Sequence, residues 1–122
     1  MRTRYLPLIP LAVAFALAVV APAYAEEEHD CGEEMSTVMS LHHCVEHAIE
    51  MGHISNAGVG NALLAKIDAA QAAVDRQKPS VAVNKLRAFI NQVEAQAGRH
   101  IEEEHAGHMI MHAEMVIDAL SP

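Results

Sequence analysis

The stretch HAGHMIMHAEM, residues 105–115, sets His105, His108 and His112 among Met109, Met111 and Met115. Neutral imidazole is a ready ligand for zinc, nickel and copper, and thioether sulfur favours Cu(I). The chain carries nine histidines. All of them fall in two segments, residues 29–53 and 100–112, and none lies in the long middle part. Beyond the initiator, the methionines divide the same way, with Met35, Met39 and Met51 in one segment and the other three in the second. Packing alone gives no reason for this shared segregation, whereas a ligand face built by two elements does. At roughly 100° per residue, His105, His108 and His112 span a helical sector about 60° wide beside an apolar stripe. In the earlier segment His43 and His47 stand one helical turn apart, with Glu50 on the same face. The expected ligand set is therefore His43, His47, Glu50, His105, His108, Met111 and His112, holding a zinc, nickel or copper ion. Two other readings stand beside it: single solvated histidines, or a charge patch that titrates near neutrality.

Other chemistries have weaker support. HCVEH, residues 43–47, matches the H-x-x-E-H pattern of inverted zinc peptidases, with Glu46 as general base. Such enzymes need a large domain to form a substrate cleft, so a non-catalytic protein is expected and a small metallohydrolase is the lesser alternative. No C-x-x-C-H sequence exists, and aromatic and basic residues are scarce, so neither haem nor a nucleotide is expected. The two cysteines, Cys31 and Cys44, read first as a disulfide, which would stabilise the fold by about 3 kcal/mol on loop-entropy grounds. The rival is thiolate ligation beside His29, His43 and His47, which needs a reducing environment or a bound metal.

Residues 1–25 have the three parts of a cleaved secretory signal: Arg2 and Arg4, an apolar run, and the small-x-small site Ala23-Tyr24-Ala25. Residues 26–34 form an acidic arm, and residues 35–122 one small domain, periplasmic or secreted. The formal net charge is −8, and the signal removes two of the few positive charges. Nucleic acid and anionic lipid require clustered Lys and Arg, so neither is an expected partner. An acidic surface suits cations; a metal ion or another extracytoplasmic protein is the expected partner, with no membrane insertion after cleavage.

Four helices can position these groups, because alternating strand patterns are missing and good helix formers dominate. The first spans about 35–51, with Val38, Leu41, Val45, Ala48 and Ile49 inward and Gly52 as its stop. The second follows the N-caps Ser55 or Asn56 and buries Val59, Leu63, Ile67, Ala70 and Val74. Gly58 and Gly60 in its first turns point to close backbone packing. The third starts at Pro79 and buries Val83, Leu86, Ile90 and Val93, with Phe89 at the border; Gly98 closes it. The fourth opens at HIEEEH and carries Ala106, Met109, Ile110, Ala113, Val116, Ile117 and Leu120 inward. Short connections make these an all-α, antiparallel up-and-down bundle. In such a ring the first and last helices are neighbours. His47 and His53 would then approach the 100–105 end, and His43 would approach His108 or His112.

From about Leu41 to Leu120 the chain resembles the FIMAH domain, on the strings GHISNAGVGNALLAKIDAAQAAVDRQ and NKLRAFINQVEAQAGRHI. AFINQV followed by AQAG is the most specific piece. The resemblance implies a helical extracytoplasmic module, often an accessory segment of larger secreted proteins, and carries over no catalytic residues. Two departures stand out: the module is expected to stand alone, without a large partner domain, and its fourth helix is rich in His and Met where such modules commonly carry Ala, Leu and Ile.

Overall fold

The computed structural model describes residues 35–122. The signal segment, the acidic arm, His29 and Cys31 lie outside the described residues, and with Cys31 the expected disulfide. Four helices follow in order: α1 Val38–Glu50, α2 Ala57–Asp75, α3 Pro79–Gln96 and α4 Glu103–Leu120. Each packs on the next, and α4 returns to α1 and closes the ring. Ser40 near the start of α1 meets His112 well along α4, while His53 just beyond α1 meets His105 in the first turn of α4. The α1–α4 pair is therefore antiparallel, as expected of an up-and-down bundle. No helix among the described residues is long and apolar enough to cross a membrane.

The helix ends follow from local chemistry. Thr37 accepts a hydrogen bond from Ser40 N (3.1 Å), so α1 begins at Val38, later than the apolar pattern alone suggests. Asn56 caps α2 through Val59 N (3.1 Å), and Pro79 opens α3 with its φ already helical. Close packing at the start of α2 falls on Gly60. A β-carbon there would stand 2.9 Å from Ile49 Cδ1 on α1, whereas one on Gly58 would meet only the Asn56 cap, at 3.1 Å. His42 adds a polar contact between the same helices: Nε2 lies 3.2 Å from Asp68 on α2, and Nδ1 3.4 Å from Glu46.

The core is built from Leu41, Val45, Leu63, Ile67, Leu86, Phe89, Val93, Ile101, Met109 and Val116, all fully or almost fully buried. Phe89 is central to it rather than bordering it, and Ile90 is only half-buried against the cluster. The buried face of α3 includes Ala82 and Phe89, which share one core cluster with Ala70 and Ala73 of α2. Val59, Val74, Ile110, Ile117 and Leu120 likewise pack at the margin, not the centre. Replacing Phe89 by Ala should cost about 3–5 kcal/mol, and Ile90 by Ala roughly half that or less. Urea unfolding of the two variants checks this order, and equal losses would contradict it.

Candidate metal centre

Two loops meet at one end of the bundle. Gly52 (φ 83°) ends α1, with His53 N donating back to Ala48 O at 2.9 Å, and Gly98 (φ 73°) ends α3. Both take the left-handed conformation that glycine adopts without strain. The chain then runs extended, and Ile54 pairs antiparallel with Ile101. Ser55 N donates to His100 O (2.8 Å) and Glu102 N donates to His53 O (3.1 Å). Ile54 and Ile101 are buried under the bridge. Side chains alternate along extended backbone, so the residues beside them, His53 and Glu102, turn to the opposite side.

On that side His53, Glu102 and His105 converge. His53 Nδ1 lies 2.8 Å from Glu102 Oε2, and His105 Nδ1 lies 3.2 Å from the same oxygen. The two imidazoles stack, with centroids 3.5 Å apart and planes 15° from parallel. An ionised carboxylate only accepts, so the His53 nitrogen that bonds it carries the proton. Glu102 is the N-cap residue of α4 yet makes no capping bond with its side chain, which is directed to the histidines. Glu103 and Glu104 remain in the first turn, where the helix dipole favours negative charge.

One possible ligand atom from each of the three residues lies within 4.8 Å of the others. Two nitrogens and one oxygen at this spacing can close on a single cation if the His53 proton is displaced. His105 is buried, His53 half-buried and Glu102 exposed, so the group opens to solvent on the Glu102 side. A cleft of about 220 Å³, lined in part by His53, Arg99, His100 and Glu102, borders it.

The expected ligands are distributed unevenly about this point. His105 belongs to the group, and the His108 ring stands edge-on to it, with centroids 6.2 Å apart. His43 and Glu50 are exposed on α1, and His47 is half-buried in its last turn. Met111 is exposed on α4, and His112 is fully buried. Among the described residues, His43, His47, Glu50, His108 and His112 join no three-residue group of His, Cys, Asp or Glu ligand atoms. The segment of Glu46 likewise assembles no such group, and the Glu46 carboxylate faces His42. His53 and Glu102 are the residues that helical periodicity misses, because both sit on loops. The signal available was Glu102 three residues before His105, with His53 directly after the α1 stop at the same end of the bundle.

A family model described as the FIMAH domain matches residues 38–118, which takes in α1 to α3, both loops of the site and all of α4 but its last two residues. No curated protein and no solved structure matches the chain.

His112 has a different role from its neighbour two turns back. Its Nε2 lies 2.9 Å from Ser40 Oγ, whose only proton is donated to Thr37 O at 2.7 Å. The imidazole must therefore donate from Nε2, which leaves Nδ1 as a bare lone pair, buried and without a hydrogen-bond partner. A proton added there would be a buried charge with no acceptor. Burial accordingly lowers the His112 pKa below its ordinary 6.5. In the unfolded chain the group takes up its proton more readily than in the fold. The stabilisation from a neutral His112 is thus whole above pH 6.5 and is lost as pH falls through the lower folded-state value. Urea unfolding at pH 8 and pH 5 should show part of the acid destabilisation vanishing in His112→Gln. An unchanged pH dependence would contradict the assignment.

Proposed function

The chain belongs to the FIMAH domain family, and we propose that this member is an exported, non-catalytic helical module that binds or buffers a transition-metal ion at His53, Glu102 and His105. The observation that carries the reading is the convergence of two stacked imidazoles on one carboxylate oxygen, at 2.8 and 3.2 Å. Imidazole with carboxylate suits zinc, nickel or Cu(II), and a His₂Glu set leaves coordination positions for water or another ligand. His108 is near enough to serve as an additional ligand or an orienting neighbour, and the adjoining cleft gives ions a route in. The net charge of −8 raises the local concentration of cations.

Export rests on the signal pattern of residues 1–25, and an oxidising compartment would join Cys31 to Cys44, which is buried on α1. The non-catalytic assignment draws on Glu46, whose carboxylate is paired with His42 and lies outside the ligand group.

Calorimetric titration of residues 26–122 with Zn(II) and Ni(II) tests the site. A single ion should bind, and Glu102→Gln and His53→Ala should each weaken it by about tenfold or more while helical circular dichroism is kept. His43→Ala should leave the affinity unchanged. Undiminished binding in Glu102→Gln, or loss confined to His43→Ala, would overturn the assignment.

A further inference from the structure

A second group of metal-ligating side chains lies further along the same pair of helices, and we propose that Met39, Met111 and Met115 form a Cu(I) site on the outer side of the α1–α4 seam. It is independent of the His53–Glu102–His105 reading. The Ser40–His112 contact of 2.9 Å fixes where the two antiparallel helices face each other. In antiparallel helices, residues one step after a facing pair turn to one side of the seam, and residues one step before turn to the other. Leu41 and Ala113, one step after, are both 0% exposed, so that side is the core. Met39 and Met111, one step before, flank the contact on the solvent side and are 56% and 46% exposed. Met115 follows one turn after Met111, is 42% exposed, and is rotated about 40° from it towards α1. With a rise of about 1.5 Å per residue, the three positions fall within about 6 Å of one another along the bundle axis. Packed helices lie about 8–10 Å apart, a gap that long thioether side chains from both sides can span to one ion.

The choice of residue carries the chemistry. The exposed large apolar side chains among the described residues are Met39, Met51, Met111, Met115 and Val81, with no Leu, Ile or Phe. An apolar side chain in water contributes little to stability, and apart from Met109 the large apolar side chains of the core are Leu, Ile, Val and Phe. What Met adds at the surface is a soft, uncharged sulfur donor. Three thioethers suit monovalent Cu(I) and are poor ligands for Zn(II) or Ni(II), so the two sites select different ions. His43, one turn after Met39, borders the strip at its other end and offers an imidazole to the same cation.

The test uses residues 26–122 carrying ¹³C-methyl methionine. Ag(I) serves as a redox-inert probe, and Cu(I) is measured under anaerobic competition with bathocuproine disulfonate. The methyl signals of Met39, Met111 and Met115 should shift together at the first equivalent of Ag(I). Those of buried Met109 and of Met51, about 18 Å along α1 from Met39, should not. The triple variant M39L/M111L/M115L keeps the apolar surface and removes only the sulfurs. It should bind Cu(I) about tenfold or more weakly and Zn(II) within about twofold of the parent. Glu102→Gln should show the reverse pattern, which separates failure of one site from failure of the other. Equal shifts at Met51, or Cu(I) affinity retained in the triple variant, would overturn the proposal.

Discussion

The arrangement depends on two backbone hydrogen bonds, Ser55 N to His100 O and Glu102 N to His53 O. Each helix end leaves polar backbone groups that the bundle must satisfy, and here two adjacent loops satisfy each other. The bridge buries Ile54 and Ile101 as a plug at the base of the core. In the same step it aims His53 and Glu102 outward, side by side. A three-residue group drawn from two loops and one helix thus has rigid backbone under every member. The ordering entropy of those loops is offset by the fold itself and need not be supplied by a bound ion.

Glu102 links local helix chemistry to the site. At an N-cap, Ser, Thr, Asp or Asn would satisfy the first amides of the helix. Glu102 makes no such bond and faces two imidazoles instead, while Glu103 and Glu104 supply the favourable charge of the first turn. Along the rest of α4, neighbouring histidines take different environments by register alone. His105 faces the loop carboxylate at the bundle end, and His112 faces a serine hydroxyl in the interior, where only its neutral form is well accommodated.

The sequence carried the helices, their order and most of the core, because apolar spacing and capping residues act locally. Thr37, Asn56, Pro79, Gly52 and Gly98 each act within a few residues of themselves. Phe89 was harder to place, since its depth depends on how α3 is turned against the other helices. The enrichment of His and Met in two facing segments was readable, and so was the approach of His53 to His105. The ligand group was not. A wheel drawn for α1 ranks His43 and His47 first, because they share a helical face. His53 and Glu102 meet only through the pairing of two loops far apart in the chain, and no single-helix periodicity contains that information. His112 escaped for a related reason: a tolerated buried imidazole needs a hydroxyl from another helix, and Ser40 supplies it.

The most direct measurement is anomalous diffraction at the zinc edge from crystals of residues 26–122 grown with one equivalent of Zn(II). One strong peak bounded by His53, Glu102 and His105 is expected, with zinc–nitrogen distances of about 2.0–2.1 Å and the two loop hydrogen bonds intact. A peak held by His43 and His47, or zinc confined to lattice contacts with the three side chains still paired to one another, would contradict it.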